Sequence, residues 1–227
     1  MPTDLILLIV AVSLFVGGHE VLSHPLRAPL VRALGEKGFM GVYALVALGS
    51  LIWAGELWKR IPPDRLWQVP DWAYPVAAAV MLLAFVLFVG SVSAPNPALM
   101  GGERATAAGV RGVQGITRHP MMWAFALWAL VHMLVSADSR TLVLAGGILV
   151  LSLFGSAMQD RKKLAGQPGY AGHVAATSFV PFGRIVSGAA PLASAWPGPV
   201  ALLGGLALWA AMLFAHPWLI GVSPMGY

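Results

Sequence analysis

Apolar residues in this chain occur in long blocks separated by short polar connections. A helix needs about 20 apolar residues to cross about 30 Å of hydrocarbon, and six blocks approach that length. We therefore predict an all-α fold, a polytopic integral membrane bundle of about six transmembrane helices that forms a single domain over residues 1–227. The predicted spans cover residues 3–22, 38–58, 72–94, 119–137, 140–158 and 198–220.

Composition points to the same class of protein. Hydrophobic residues make up 58% of the chain and charged residues only 10%, with a mean hydropathy of +0.77. Soluble domains carry about a quarter charged residues, so a soluble enzyme is excluded. The absence of cysteine excludes disulfides, iron–sulfur clusters and cysteine-ligated zinc. The first apolar block has no preceding Lys or Arg and is interpreted as a retained helix rather than a signal peptide.

The distribution of Lys and Arg predicts the orientation. Loops one, three and five contain ten of these residues and the remaining connections contain four, so the positive-inside rule places both termini outside the cytoplasm. The basic excess is therefore attributed to a membrane face and not to a nucleic-acid partner. The ten are Arg27, Arg32, Lys37, Arg104, Arg111, Arg118, Arg161, Lys162, Lys163 and Arg184, and the four are Lys59, Arg60, Arg65 and Arg140.

Six histidines provide the candidate chemistry. His24, His119 and His216 each precede a proline, which disfavours helical backbone, so they are expected at helix ends. His19 and His132 lie within apolar sequence, where an ionisable side chain is costly and indicates a functional site. Two such imidazoles on different helices are suited to be axial ligands of haem b.

Further residues fit this hypothesis. Gly17 and Gly18 would allow a flat macrocycle to approach the backbone, and Arg27, Arg32 or Arg118 would pair with its propionates. His119 and His132 are 13 residues apart, about 20 Å along one helix, so they cannot share one iron. The best pair is therefore His19 with His132.

Simpler interpretations stand beside this one. Either buried histidine alone is equally explained by a hydrogen bond to a neighbouring helix. Arg118-His119-Pro120 is also typical of a helix start, and Glu20 either orients a neighbouring group or faces the headgroups. Loop residues Lys162, Lys163 and His173 are expected to be solvated or bound to anionic lipid. The glycine run of the third loop, within residues 95–118, lacks a phosphate-loop motif and is interpreted as a linker.

Several motifs resemble the NnrU family of bacterial inner-membrane proteins, which is named from denitrification gene clusters. The resemblance spans almost the whole chain, in the order found in that family. Its motifs are Gly18-His19, Leu34-Gly35-Glu36-Lys37-Gly38-Phe39, Tyr43-Ala44-Leu45-Val46-Ala47-Leu48, Thr117-Arg118-His119-Pro120-Met121, Leu127-Trp128-Ala129-Leu130-Val131-His132, and His216-Pro217-Trp218-Leu219-Ile220-Gly221-Val222-Ser223-Pro224.

The resemblance implies a haem-dependent function. The NnrU family is similar to the plastid 15-cis-zeta-carotene isomerase, a membrane enzyme that depends on haem b. His19 and His132 match its two proposed haem ligands, and His119 matches another of its histidines. A redox-gated isomerase of a lipophilic polyene and a haem protein that binds nitric oxide in denitrification are both implied. Each would need the lipid bilayer, and a redox partner that the sequence does not identify.

A second resemblance indicates a different reaction. Arg118-His119-Pro120-Met121, Asp160-Arg161-Lys162-Lys163-Leu164, Tyr170 and Phe179-Val180-Pro181 are similar to motifs of isoprenylcysteine and phospholipid methyltransferases. This implies S-adenosylmethionine bound near Arg118 and His119, and methyl transfer to a lipid-like substrate. A third alternative is a non-catalytic membrane subunit that supports a denitrification enzyme.

Overall fold

A computed structural model describes residues 3–98, 105 and 109–226, and these residues form helices and loops without a β-strand. Gly101, Gly102 and Arg104 of the predicted third loop lie outside the described residues. Short 3₁₀ helices at Gly112–Gly115 and Leu192–Ala195 accompany the α-helices in the described part of the chain. The α-helices are α1 (Thr3–Ser23), α2 (Arg27–Arg60), α3 (Ala73–Ser93), α4 (Pro120–Ser136), α5 (Ser139–Gly166), α6 (Tyr170–Ala176), α7 (Gly183–Val186) and α8 (Pro199–Ile220).

Each predicted span corresponds to one of these helices, and the predicted all-α, polytopic membrane fold is confirmed. Five helices, α1, α2, α3, α5 and α8, are long and apolar enough to cross a membrane. Helix α4 is apolar but has only 17 residues. Few side chains of the long helices are buried within the protein, so most of their apolar surface is available to lipid.

Two helices differ in length from the prediction, and one of them is α5, which ends at Gly166, eight residues after the predicted span. Helix α2 begins at Arg27, eleven residues before the predicted span, and Gly35 breaks it with a φ of 71° and a ψ of 169°. This backbone conformation suits glycine, which has no Cβ. Because α2 begins at Arg27, the predicted first loop is largely helical. Pro217 lies inside α8, so the helix does not end at His216 as the proline predicts. Gly221, at a φ of 86°, terminates the helix four residues after Pro217.

Backbone contacts divide the chain into two compact units. The first unit contains residues 1–69 and 132–151, and the second contains residues 70–131 and 152–227. One boundary lies between α2 and α3, and the other two fall within α4 and within α5. The predicted single domain over residues 1–227 stays a prediction.

In the first unit, α1 and α2 form an antiparallel hairpin. A Cβ at Gly18 would lie 2.9 Å from Cγ1 of Val46, and the Ser23 hydroxyl donates to the Tyr43 hydroxyl over 3.5 Å. The other end of the hairpin is packed through a core that includes Leu8. Small residues at such positions let the two backbones approach closely in a membrane.

The start of α5 is tied to the end of α2 in the same unit. Asp64 accepts hydrogen bonds from both the backbone N–H and the hydroxyl of Ser139, at 2.8 and 2.9 Å, and so caps α5. Arg140 donates to the carbonyl oxygens of Trp58 and Ile61 and lies 4.0 Å above the Trp58 ring. These contacts fix the polar connection that precedes α5.

The second unit is built on an antiparallel pair, α3 and α8. A Cβ at Gly205 would lie 2.7 Å from Cα of Val86, and the Trp209 Nε1–H donates to the Ala78 carbonyl over 2.8 Å. Leu87 and Ile116 belong to the buried core beside this pair. The core supports the segment that leads into α4, where the polar side chains of this unit converge.

Candidate functional site

The first candidate site surrounds His19 near the end of α1. Nδ1 of His19 lies 2.7 Å from the carbonyl oxygen of Phe15, one turn earlier in the helix. A carbonyl oxygen can only accept, so Nδ1 carries the proton and Nε2 presents a lone pair. The ring makes edge contacts with Phe15 and with Tyr43 of α2 at centroid distances of 4.6 and 5.2 Å. Its tautomer and orientation are therefore fixed by neighbours.

Charged residues surround the same end of the hairpin. Glu20 lies 3.3 Å from Nε2 of His24, and both side chains are largely buried. Arg27 forms an ion pair with Glu36 at 2.6 Å. The carboxylate of Glu20 is thus the partner of His24, and the predicted propionate partner Arg27 already has an acid beside it.

His19 lies on the face of α1 that meets α5. Val12 and Val16 precede His19 by seven and three residues, a spacing that puts all three on one face of the helix. Both valines contact the position of Gly147 in α5, where a Cβ would overlap Val12. Gly18 instead faces α2 and packs against Val46. Its small size therefore serves the contact between α1 and α2, whereas the prediction assigned it to a macrocycle.

His132 belongs to the same unit and is partly buried in α4. In the core of this unit, Val143 of α5 packs against a cluster that includes Leu8 of α1. Gly147, later in α5, lies against Val12, later in α1. The two helices therefore run in the same direction. The two-residue link between α4 and α5 makes α4 antiparallel to both. His19 and His132 then differ in depth by about 15 Å of helix. Both side chains lean toward the N-terminal end of their own helix, and therefore toward the depth between them, but this lean does not close an offset of that size, so the two imidazoles do not meet across one iron in this arrangement.

The second candidate site is a group of polar side chains in the other unit, which we call the polar centre: Arg118, His119, Asp160, Lys163, Tyr170 and His173. Asp160 of α5 is its middle. One carboxylate oxygen lies 2.7 Å from Nε2 of His119 and accepts from the Tyr170 hydroxyl at 2.7 Å, and the other accepts from Nε of Arg118 at 2.6 Å. A buried carboxylate needs such partners to offset its lost hydration.

Backbone contacts position Arg118 and His119 for these bonds. The Arg118 N–H donates to the carbonyl of Ser178, and the Thr117 hydroxyl donates to the carbonyl of Phe179. Pro120 is the first residue of α4, a position where a missing N–H costs nothing. The interpretation of Arg118-His119-Pro120 as a helix start is confirmed, and the same segment also supplies two side chains of the polar centre.

Lys163 and His173 complete the polar centre, and the expectation that both are solvated is wrong. The Lys163 ammonium is buried, donates to the carbonyl of Pro97 and lies 5.7 Å from the Tyr170 ring centroid. His173 is 6% exposed, and its Nε2 has no hydrogen-bond partner among the described residues. Lys163 follows Asp160 by three residues and His173 follows Tyr170 by three, a spacing that places each pair on one helix face. That spacing was the available signal in the sequence.

Electrostatics in the polar centre follow from burial. The pKa of Tyr170 is raised far above its ordinary value. Burial is the largest cause, followed by the hydrogen bond to Asp160 and by the negative charge of Asp160. The pKa of His173 is lowered below its ordinary 6.5, chiefly by burial and next by the positive charge of Arg118. Tyr170 is thus held as a neutral donor and His173 as a neutral imidazole.

The structure brings together Arg118, His119, Asp160 and Tyr170, the residues of the methyltransferase-like motifs. It keeps His19 and His132 in the same unit. No group of three or more His, Cys, Asp or Glu side chains arranged to hold a metal occurs within residues 3–98, 105 and 109–226.

The family model described as NnrU protein matches residues 7–224, nearly the whole chain. No curated protein and no solved structure matches the sequence.

Proposed function

The chain belongs to the NnrU family, and from that premise we propose that it is a haem b-binding membrane protein with His19 as one iron ligand and His132 as the second, a pairing that requires α4 to shift along α1 when haem binds. The observation that supports this most directly is the hydrogen bond between Nδ1 of His19 and the Phe15 carbonyl. Histidines that ligate metals commonly donate their other ring N–H to a carbonyl or carboxylate, which fixes the tautomer and raises ligand basicity. His19 has this arrangement already.

The environment of His19 fits a porphyrin ligand in two further respects. Phe15 and Tyr43 hold the imidazole by edge contacts, so little orientational freedom is left for it to lose on binding iron. Nε2 forms no hydrogen bond within the described part of the chain, and a neutral imidazole nitrogen in an apolar helix is a good axial ligand. Bound haem would supply a redox-active iron for capture of nitric oxide or isomerisation of a lipophilic polyene.

The test is an absorption spectrum of the full chain, purified in detergent from haem-replete cells, oxidised and after reduction. The proposal expects a Soret band that is lost or shifted in both His19→Ala and His132→Ala. His24→Ala is the matched control, because His24 is also a partly buried histidine at the end of α1, and it should leave the spectrum unchanged. A wild-type protein without a Soret band, or a band that survives both ligand substitutions, would overturn the proposal.

Methyl transfer is a second candidate, favoured by one observation: Arg118, His119 and Tyr170 all converge on Asp160. The donors present suit the carboxylate of S-adenosylmethionine, but each already pairs with Asp160. Binding would have to replace one of these bonds, which makes this candidate weaker than haem binding.

Equilibrium binding of labelled S-adenosylmethionine to the purified chain tests this candidate. It expects binding that Tyr170→Phe and His119→Gln weaken and that Asp71→Asn, an exposed position of the same unit, leaves unchanged. Undetectable binding to wild type at millimolar cofactor rejects methyl transfer. A role as a non-catalytic subunit predicts instead neither haem nor cofactor binding, together with stable co-purification with a partner.

A further inference from the structure

Two glycines of the third loop, Gly112 and Gly115, line a cleft in the second unit. The cleft has a volume of about 340 Å³, and its lining includes Arg111, Gly112, Gly115, Arg184 and Ser194. A Cβ at Gly115 would overlap the carbonyl oxygen of Ser194, and Gly112 has a φ of 53°. These two glycines let the 3₁₀ helix Gly112–Gly115 press against the 3₁₀ helix Leu192–Ala195. The glycine run interpreted as a linker therefore has a structural use.

Arg184 is held rigidly in the cleft wall. One guanidinium nitrogen donates to the carbonyl of Ala175 over 2.6 Å and the other donates to the carbonyl of Ala189 over 3.0 Å. A guanidinium has five N–H donors, so the side chain is anchored and still presents unused donors. A cation fixed in this way loses little entropy when an anion binds.

Arg111 supplies a second cation to the lining of the cleft. Its side chain is exposed, and the described lining of the cleft contains no carboxylate to neutralise either arginine. Two guanidinium groups in one concave site without a negative partner favour the binding of an anion whose oxygens contact both of them. Phosphate is such an anion, because two of its oxygens can accept from the paired N–H groups of one arginine.

The surface beside the cleft is apolar. Val186, Leu192 and Trp196 are 85%, 75% and 59% exposed, and they belong to the same stretch of chain as Arg184 and Ser194. Exposed aliphatic and tryptophan side chains next to cations are typical of the membrane–water boundary. The positive-inside count assigns both arginines to the side of the membrane whose leaflet is anionic.

From this combination we propose that the cleft between Arg111 and Arg184 binds the phosphate group of an anionic phospholipid. The guanidiniums hold the phosphodiester, and the exposed apolar side chains lie against the acyl chains. The site is separate from the polar centre and independent of haem binding.

The experiment titrates the full chain, delipidated in detergent, with phosphatidylglycerol and with phosphatidylcholine of the same acyl chains, and reads bound lipid by native mass spectrometry. We expect phosphatidylglycerol to bind at least about tenfold tighter, and Arg111→Gln to weaken it about tenfold, the loss typical of a charge-assisted contact. Arg184→Lys keeps the charge and removes the fork, and it should also weaken binding.

Arg161→Gln is the matched control, since it removes an exposed arginine of the same unit outside the cleft lining. It should change affinity by less than about twofold. An equal effect of Arg161→Gln and Arg111→Gln, or equal affinity for the two lipids, would overturn the proposal. Displacement of phosphatidylglycerol by millimolar inorganic phosphate would also overturn it, because the cleft would then be a site for free phosphate. The Arg111 side chain makes no hydrogen bond to the described residues of the kind that anchors Arg184, so the Arg111→Gln measurement stands even if Arg184→Lys fails to fold.

Discussion

Nε2 of His119 lies 2.7 Å from Oδ1 of Asp160, so the residue before α4 is joined to the last turns of α5 by a buried polar contact. Arg118 and Tyr170 bind the same carboxylate. Three donors on one acid replace most of the hydrogen bonds that water would supply to it. Asp160 is consequently the residue on which the geometry of the polar centre depends.

Asp160→Asn should destabilise the protein strongly. The amide cannot neutralise Arg118, and its NH₂ group places donors where the polar centre supplies donors. Removal of one partner from a buried charged group costs about 3 to 5 kcal/mol. We expect the thermal unfolding midpoint in detergent to fall by about 10 °C, since 1 kcal/mol corresponds to about 2–4 °C for a chain of this size. Asp71→Asn, at an exposed position, should change it by no more than about 1 °C; equal midpoints for the two variants would contradict this role of Asp160.

Tyr170→Phe should have a smaller effect than Asp160→Asn. The substitution removes one hydrogen bond to Asp160 but keeps the ring that Lys163 approaches. A hydrogen bond to a charged group contributes about 1.5 kcal/mol, so we expect the midpoint to fall by about 3–6 °C. Tyr170→Leu also loses the ring contacts and should fall further. A Phe variant as stable as wild type would show that the hydroxyl does not support Asp160.

Stability should fall below neutral pH, in part because of His173. Burial lowers the pKa of His173 below its ordinary 6.5, so the folded protein binds this proton less readily than the unfolded chain does. The free energy of unfolding that depends on neutral His173 is therefore fully present above the pKa of this histidine in the unfolded chain, about 6.5. It is lost as the pH falls below that value toward the lower pKa of His173 in the folded protein. Thermal midpoints measured from pH 8 to pH 5.5 should decline less steeply in His173→Gln than in wild type. His216→Gln, at a partly exposed histidine near the end of α8, should keep the wild-type slope, and parallel slopes for all three proteins would count against the prediction.

The sequence predicts the helices better than it predicts the polar contacts. Blocks of about 20 apolar residues specify spanning helices by length alone, because a lipid-exposed backbone must satisfy its own hydrogen bonds. The break at Gly35 escapes that pattern because it depends on local backbone geometry, and the proline after His216 wrongly predicts a helix end there, since α8 continues through Pro217. His119 and Asp160 are 41 positions apart, and only the α4–α5 hairpin brings them together. Charged residues in a loop therefore look solvated in the sequence, although Lys163 is buried.

Adjacent glycines of α5 should respond in opposite ways to a methyl group. A Cβ at Gly147 would overlap Val12 of α1, whereas a Cβ at Gly146 meets nothing within 4 Å. Gly147→Ala forces the two helices apart, and overpacking of this kind costs about 1–3 kcal/mol. Gly146→Ala has the same intrinsic helix gain, up to about 1 kcal/mol, without a clash. Thermal unfolding should therefore show a lower midpoint for Gly147→Ala and an unchanged or higher one for Gly146→Ala. Because Val12, Val16 and His19 share the face of α1 that Gly147 meets, Gly147→Ala should also weaken haem retention in a titration against wild type. Equal midpoints for the two variants would mean that α1 and α5 do not pack at Gly147.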